Sequence, residues 1–278
     1  MPEALVTTDW LAQHLDAPDV RVVDATWFLP TMERDARAEY EAAHLPGAVF
    51  FDLDEVCEPK GLHPHMVPAP ARFSSRVRKL GLGDGVRIVV YDNNRFFASA
   101  RVWWLFRFMG ASDVMVLDGG LAKWRAEGKT VTDEPTRPRE RHFTARQNNL
   151  IWREMDQVRA NLTSKREQVL DARSPGRFHA KEPEPRPGLR GGHIPGSKNL
   201  WYGELVAEDG TLKPREELRA IFAKAGIDLS QPVVTTCGSG VSAALINLAL
   251  YELGIHNAAL YDGSWAEWGA QRDTPVAT

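Results

Sequence analysis

The sequence predicts an α/β protein made of two similar domains in tandem, each a mainly parallel β-sheet flanked by helices on both faces. Two observations predict this fold. The same landmarks occur twice, in the same order, along the 278 residues. Within each copy, short β-branched runs alternate with helical patterns. Alternating strands and helices give parallel strands joined by right-handed crossovers, which place helices on both faces of a sheet.

The landmarks of the two copies share their order and their spacing. Those of the first copy are Val22-Val23-Asp24-Ala25, His44-Leu45-Pro46-Gly47, Ile88-Val89-Val90-Tyr91-Asp92, Phe108-Met109-Gly110 and Asp118-Gly119-Gly120-Leu121-Ala122-Lys123-Trp124. Those of the second copy are Val169-Leu170-Asp171-Ala172, His193-Ile194-Pro195-Gly196, Val233-Val234-Thr235-Thr236-Cys237, Glu252-Leu253-Gly254 and Asp262-Gly263-Ser264-Trp265-Ala266-Glu267-Trp268. Such agreement over five landmarks indicates duplication of one domain.

The segment between the copies sets the predicted domain boundaries. Residues 130–149, TVTDEPTRPRERHFTARQNN, are polar and include two prolines. A segment of this composition offers little apolar surface to bury and is typical of a surface linker. We therefore predict an N-terminal domain over 1–135, a linker over 136–150 and a C-terminal domain over 151–278.

Composition excludes several classes of function. A formal net charge of −3 without a basic patch argues against a nucleic-acid partner. The two cysteines form no CxxC pair, and no HExxH motif is present, so we expect no metal site. The chain shows no apolar run long enough for a membrane span and no signal-peptide pattern, which predicts a cytoplasmic protein with free thiols and no membrane partner.

Cys237 is the candidate nucleophile. It follows the strand pattern of residues 233–236 and precedes a helical pattern, so it lies where open α/β sheets place their sites. The loop Gly238-Ser239-Gly240-Val241-Ser242 can turn its backbone N–H groups around an anion, which favours the thiolate. The alternative is a buried structural cysteine. The first copy carries Asp92 at the matching point, which indicates a duplicated domain without the nucleophile.

The other conspicuous residues have structural interpretations. His44 and His193 each begin a His-x-Pro-Gly segment, and because both copies carry it, we interpret it as a corner between elements. Cys57 lies in the polar stretch FDLDEVCEPKG, where nothing resembles an anion-binding loop. The tryptophans have patterns typical of packing.

A family resemblance rests on motifs in both halves. Those of the second half are Asp171-Ala172-Arg173-Ser174-Pro175-Gly176-Arg177-Phe178, Pro183-Glu184-Pro185-Arg186-Pro187-Gly188, Gly192-His193-Ile194-Pro195-Gly196-Ser197, Cys237-Gly238-Ser239-Gly240-Val241-Ser242 and Tyr261-Asp262-Gly263-Ser264-Trp265. Those of the first half are Phe51-Asp52-Leu53-Asp54, His65-Met66 and Arg101-Val102-Trp103-Trp104. With these motifs the chain resembles the tandem-domain rhodanese family of sulfurtransferases over nearly its whole length. Within the family it is most similar to the members that use 3-mercaptopyruvate.

The resemblance implies an enzyme that needs neither metal nor organic cofactor. Cys237 would take sulfur from 3-mercaptopyruvate as a persulfide, release pyruvate, and pass the sulfur to cyanide or to a thiol acceptor such as a thioredoxin-like protein. Thiosulfate-using relatives carry Cys-Arg-Lys-Gly-Val where this chain has Cys-Gly-Ser-Gly-Val. A thiosulfate:cyanide sulfurtransferase and a sulfur carrier without turnover remain alternatives. A cysteine phosphatase is disfavoured, because it needs an arginine where Ala243 stands.

The resemblance also assigns roles to particular residues. Arg177 and Arg186 would bind the carboxylate and keto oxygens of the substrate, since a guanidinium can hold two oxygens at once. The remaining substrate-binding positions are the loop residues Gly238, Gly240, Val241 and Ser242, the last in place of the family's usual threonine. The neutral loop suits a substrate with one negative charge better than the thiosulfate dianion.

A catalytic relay completes the predicted site. The family pattern matches Ser239 in the loop, His65 and Asp54, which together would move protons to and from the substrate. His65 and Asp54 lie in the first half of the sequence, so we expect the relay to cross the domain interface. His63 is a close competitor for the histidine.

Overall fold

The computed structural model describes residues 3–57 and 63–278, which divide into two compact units. The described residues of the first unit are 3–57, 67–148 and 207–212, and those of the second are 63–66, 149–206 and 213–278. Within the described residues, no helix is long and apolar enough to cross a membrane.

The first unit contains five strands and six α-helices among its described residues. In chain order they are β1 (Leu5–Val6), α1 (Thr8–His14), β2 (Val20–Asp24), α2 (Ala36–Ala42), β3 (Val49–Phe50), α3 (Leu53–Val56), α4 (Pro70–Lys79), β4 (Arg87–Tyr91), α5 (Ser99–Phe108), β5 (Val114–Leu117) and α6 (Gly120–Ala126). A short 3-10 helix covers Pro30–Met32. The strands form one parallel sheet in the order β1-β5-β4-β2-β3.

The second unit repeats this pattern. Its elements are β6 (Trp152–Arg153), α7 (Met155–Ser164), β7 (Gln168–Asp171), α8 (Pro175–Phe178), β8 (Lys198–Asn199), α9 (Arg215–Lys224), β9 (Val233–Thr236), α10 (Ala243–Glu252), β10 (Ala259–Tyr261) and α11 (Ser264–Trp268). Two 3-10 helices cover Asn149–Ile151 and Tyr202–Leu205. The sheet order β6-β10-β9-β7-β8 matches that of the first sheet strand for strand, and all of its pairs are parallel.

These two sheets confirm the predicted α/β fold and its duplication. β4 and β9 lie in the middle of their sheets, and each continues through a loop into a helix, α5 or α10, whose residues are almost all buried. The sequence of α10, AALINLALYE, is apolar nearly all round, as expected of a helix covered on every side. The candidate nucleophile therefore follows the central strand of the second sheet.

Side chains fix several helix starts by accepting a hydrogen bond from the first turn. Asp52 accepts from the backbone N–H of Glu55 and begins α3. Ser174 accepts from the N–H of Arg177 and begins α8, which also has proline at its first position. These two short helices carry Asp54 and Arg177, two of the predicted site residues.

The segment predicted as a linker packs on the first unit. Phe143 is buried, with its ring 5.4 Å from that of Phe73 and 6.0 Å from that of Phe106. The N–H of Arg146 donates to the carbonyl of Met109 at 2.8 Å. A buried aromatic ring and hydrogen bonds thus attach a stretch that is otherwise polar. The predicted boundaries at 135 and 150 stay a prediction.

His44 and His193 fit their structural interpretation. Each lies in an isolated antiparallel bridge, His44 with Thr132 and His193 with Ala277. Each ring Nδ1 also shares a hydrogen bond with a carbonyl of its own unit, for His193 that of Phe178 at 3.0 Å. The two histidines therefore anchor corners of the repeated domain.

Candidate active site

Cys237 lies directly after β9, at the carboxyl end of the second sheet. It is buried, with 2% of its surface exposed. Its N–H donates to Ser264 Oγ at 3.2 Å, and its carbonyl accepts from the N–H of Trp265 at 2.9 Å. The carbonyl of Gly238 accepts from the N–H of Ala266 at 2.8 Å. The start of α11 therefore fixes the backbone of the nucleophile on one side of the loop.

The loop after Cys237 has two features that suit an anion cradle. Gly240 has φ +75°, a conformation that glycine adopts without strain. Left-handed residues in such loops turn successive N–H groups to one side, and the N-terminus of α10 adds its partial positive charge. Within residues 3–57 and 63–278, the N–H groups of 238–241 donate to no backbone or side-chain acceptor.

The first unit shows what the matching loop holds. Asp92 follows the central strand β4, and its carboxylate is buried among backbone N–H groups. Four of these groups donate to it at 2.8–3.1 Å, those of Asn94, Phe96, Ala98 and Ser99. The cradle of the first unit is thus filled by its own aspartate, whereas that of the second unit follows a cysteine.

Val241 and Ser242 complete the turn into α10. Both residues are buried. The carbonyl of Val241 accepts from the N–H of Ala244, and that of Ser242 from the N–H of Leu245, each at 3.2 Å. These predicted substrate-binding positions therefore lie directly before α10, and their carbonyls accept hydrogen bonds from its first turn.

The two predicted arginines converge on the cysteine loop. A methyl group built on Gly238 would lie 3.0 Å from Nη2 of Arg177 and 3.8 Å from Nη1 of Arg186. Nη2 of Arg186 also lies 3.4 Å from Ser239 Oγ. Both guanidinium groups are therefore within a few ångströms of the residue that follows Cys237. Such a pair can bind a carboxylate and a second oxygen of one small molecule.

An ionic chain behind Arg177 was missed by sequence reasoning. Arg173 is fully buried and pairs with Asp171 and with Glu184, each at 2.7 Å. Glu184 in turn pairs with Arg177 at 2.5 Å. The Arg173 guanidinium lies 4.3 Å from the ring centre of Trp265. Burial lowers the pKa of Arg173, but the charges of Asp171 and Glu184 outweigh it and raise that pKa.

Ser239 contacts a histidine from the first half of the sequence. His65 Nδ1 lies 3.1 Å from Ser239 Oγ, and both residues are buried. His65 has φ +61°, a left-handed conformation that is uncommon outside glycine and is concentrated at functional sites. His63, the competing candidate, is half-buried.

The structure groups His65 differently from the predicted domain boundaries. Residues 63–66 belong to the second compact unit, so the contact between His65 and Ser239 lies within that unit. Asp54 belongs to the first unit, where its carboxylate accepts a hydrogen bond from Trp27 Nε1 at 2.9 Å. The participation of Asp54 in a relay stays a prediction.

Tyr202 is a further residue of this site that sequence reasoning missed. The backbone N–H of Tyr202 donates to the carbonyl of Ala172, which ties it to the carboxyl end of the sheet. Burial raises the pKa of the Tyr202 phenol, the charge of Cys237 raises it further, and that of Arg177 lowers it. The phenol is thus within electrostatic reach of both groups. Only its position three residues after the Lys198–Asn199 strand could have drawn attention to it.

Two further findings concern possible metal ligands and the second cysteine. Among residues 3–57 and 63–278, no group of three or more His, Cys, Asp or Glu side chains is arranged to hold a metal ion. Cys57, the second cysteine, is buried in the first unit.

Comparison with known proteins defines the class. The Rhodanese-like domain family matches this chain twice, over residues 7–127 and 154–271. The chain belongs to the rhodanese family, and the resemblance found in the sequence is confirmed. The two matched ranges each contain one of the five-stranded parallel sheets except for the short strands Leu5–Val6 and Trp152–Arg153.

Full-length relatives narrow the class to sulfurtransferases. The chain is 41% identical to 3-mercaptopyruvate sulfurtransferase of Escherichia coli K12 over 98% of this chain and 96% of the relative. It is 44% identical to thiosulfate sulfurtransferase of Rattus norvegicus over 95% and 91%. The crystal structure of SseA from E. coli, described as a 3-mercaptopyruvate sulfotransferase, superposes with a TM-score of 0.88 at 38% identity, covering 95% of this chain and 99% of SseA. The prediction of a sulfurtransferase is confirmed.

Proposed function

We propose that this enzyme transfers sulfur from 3-mercaptopyruvate through a persulfide on Cys237. The observation that carries the proposal is the convergence of Arg177 and Arg186 on Gly238, next to the buried nucleophile. Two guanidinium groups suit a substrate that presents a carboxylate and a keto oxygen close together. In 3-mercaptopyruvate a single methylene group separates the sulfur from the keto-acid group that the arginines would hold.

The first half-reaction breaks the carbon–sulfur bond of the donor. The Cys237 thiolate attacks the sulfur of 3-mercaptopyruvate, and the bonding electrons of the carbon–sulfur bond leave on carbon as the enolate of pyruvate. Cys237 then carries the outer sulfur as a persulfide, and the enolate takes up a proton to give pyruvate. Covalent catalysis of this kind divides one transfer into two easier steps.

Ser239 and His65 supply the proton transfers in this proposal. Their hydrogen bond gives the serine hydroxyl a partner that can accept or return a proton. Asp54 is proposed to orient His65, as aspartates do in serine–histidine relays. Arg186 lies beside the same hydroxyl, so a substrate carboxylate held by this arginine would lie beside the relay.

The second half-reaction regenerates the thiolate. A thiol acceptor attacks the outer sulfur of the persulfide, and the electrons of the sulfur–sulfur bond return to Cys237. Because Cys237 is only 2% exposed, the acceptor must present its thiol on a small or protruding group. We propose a thioredoxin-like acceptor in the cytoplasm, and cyanide serves as an acceptor in the assay.

Thiosulfate is the second candidate donor. The rat thiosulfate sulfurtransferase is as similar to this chain as the E. coli enzyme that acts on 3-mercaptopyruvate. The loop favours 3-mercaptopyruvate, because Gly238 and Ser239 place no cation directly after the nucleophile for a dianion. A third candidate, a sulfur carrier, would keep the persulfide on Cys237 without catalytic turnover of the donor.

Donor competition tests the proposal. We would measure sulfur release with each donor and cyanide for the native chain, for Cys237→Ser and for the matched control Cys57→Ser. We expect kcat/KM to favour 3-mercaptopyruvate over thiosulfate by at least ~10-fold, a difference of about 1.4 kcal/mol in activation free energy. Cys237→Ser should abolish turnover, whereas Cys57→Ser should retain it.

Each of the other possible results would reject a particular part of the proposal. A preference for thiosulfate would reject the donor assignment while retaining the nucleophile. A stable persulfide on Cys237 without repeated turnover to thiocyanate from either donor would indicate a carrier. Full activity of Cys237→Ser would reject the mechanism altogether.

A further inference from the structure

Glu184 connects two arginines that differ in burial. Its side chain is 2% exposed and pairs with the fully buried Arg173 through Oε1 and with Arg177 through Oε2. Arg177 is 21% exposed, and its Nε donates a second hydrogen bond, of 3.3 Å, to Glu184 Oε1. The carboxylate therefore forms a bidentate pair with one edge of the Arg177 guanidinium.

Arg173 in turn cannot shift easily. It donates to both carboxylate oxygens of Asp171 at the end of β7 and to the carbonyl of Gly192. The ring of Trp265 covers its guanidinium group. Glu184 is thus a link between the buried Arg173, next to the end of β7, and the partly exposed end of Arg177.

From this geometry we propose that Glu184 is a positioning residue for the sulfur donor. It acts through Arg177, which it orients towards Gly238, and it compensates part of the positive charge that faces the donor. This inference rests on the proposed function, in which Arg177 binds the donor. Neither role requires Glu184 to touch the substrate.

The charge of Glu184 has a consequence for the choice of donor. A negative group beside Arg177 weakens the attraction of the site for a dianion more than for a monoanion, because Coulomb energy scales with the charge of the ligand. Thiosulfate carries two negative charges and 3-mercaptopyruvate carries one. Glu184 therefore disfavours thiosulfate, and removing its charge should shift the donor preference towards thiosulfate.

Three variants separate charge from position. Glu184→Gln removes the charge and retains the size, Glu184→Asp retains the charge and shortens the reach, and Glu182→Gln is the matched control. Glu182 lies on the same loop, is exposed, and accepts a hydrogen bond from Ser174 Oγ rather than from either arginine. For each we would measure kcat and KM with both donors, and the thermal unfolding midpoint.

We expect the ratio of kcat/KM for thiosulfate to that for 3-mercaptopyruvate to rise about fivefold to tenfold in Glu184→Gln. The ratio should stay within about twofold of the native value in Glu184→Asp and Glu182→Gln. In Glu184→Asp, KM for 3-mercaptopyruvate should rise by a larger factor than kcat falls. The shorter side chain displaces Arg177, whereas Ser239 and His65 are not affected. If Glu184 had only a structural role, its replacement would lower kcat/KM equally for both donors and leave their ratio unchanged.

The outcomes also separate this inference from the proposed function. If the native enzyme prefers 3-mercaptopyruvate but Glu184→Gln leaves the donor ratio unchanged, the role of Glu184 is rejected and the proposed function stands. If the native enzyme prefers thiosulfate, the proposed function is rejected before any variant is compared. If Glu184→Gln does not fold, an unchanged KM for 3-mercaptopyruvate in Glu184→Asp would reject the positioning role.

Discussion

At the scale of single residues, the site depends on where a side chain is missing. Gly238 has no Cβ, and this leaves the space into which Arg177 and Arg186 reach. A methyl group there would lie 3.0 Å from Arg177 Nη2, closer than ordinary van der Waals contact, and Nη2 is the end of a long side chain. The glycine is therefore required by the arginines, whereas Gly240 is required by its backbone conformation.

Gly238→Ala should accordingly weaken donor binding without unfolding the loop. We expect KM for 3-mercaptopyruvate to rise about tenfold, because the methyl group displaces the Arg177 guanidinium by a few tenths of an ångström or more. The thermal unfolding midpoint should change by less than ~2 °C, since only a side-chain end has to move. An unchanged KM would contradict the placement of Arg177 at the donor.

At the scale of elements, one loop geometry serves two purposes in the two units. In each, a central parallel strand is followed directly by a residue that begins the loop leading into a buried helix. In the first unit that residue is Asp92, whose carboxylate satisfies four N–H groups. In the second it is Cys237, whose loop can stabilise a thiolate or the charge of a bound donor. The duplicated domain therefore retains the cradle and differs in what occupies it.

Asp92→Ala should destabilise the first unit strongly. Four buried N–H groups would lose a charged acceptor, and we expect the free energy of unfolding to fall by about 3 kcal/mol. Asp92→Asn should lower the free energy of unfolding by less, since the amide oxygen can still accept hydrogen bonds from the loop. Denaturant titration measures both.

An exposed aspartate provides the control for Asp92. Asp84 accepts from the backbone N–H of Thr144 at the surface, and Asp84→Ala should cost less than about 1 kcal/mol. A loss in Asp92→Ala no larger than that in Asp84→Ala would show that the carboxylate does not hold the loop.

At the scale of the whole molecule, buried phenols link stability to alkaline pH. The pKa is raised above its usual range in four of the five tyrosines, foremost by burial; they are Tyr40, Tyr91, Tyr202 and Tyr261. A pKa raised in the folded state means that the unfolded chain releases these protons first. The stabilising contribution is therefore complete below the ordinary tyrosine pKa of about 10 and is lost as pH rises above it.

We expect the free energy of unfolding to decrease between about pH 9 and about pH 11. Tyr202→Phe should reduce the slope of this decrease, because it removes one of the shifted groups. Urea titrations at a series of pH values give the slope directly. A free energy of unfolding that stays constant or increases across this interval would contradict the raised pKa of these tyrosines in the folded state.

The sequence by itself determined the fold and the family, and it singled out Cys237 as the candidate nucleophile. Hydrophobic runs and turn residues repeat along the chain, and such local patterns specify strands and helices wherever they occur. Cys237 was predictable because its position between the strand Val233–Thr236 and the helix Ala243–Glu252 is a local feature. Arg177 and Arg186 came from motif resemblance, and both reach the cysteine loop.

Only the tertiary structure decided which distant residues act together. The contact of His65 with Ser239 spans 174 positions, and the buried chain Asp171–Arg173–Glu184–Arg177 requires two loops to fold against one strand end. Local patterns carry no information about such pairings, because they arise when the sheet brings the carboxyl ends of its strands together. The sequence thus specified the fold and the candidate nucleophile, and folding placed His65 and the ionic chain beside the loop that carries it.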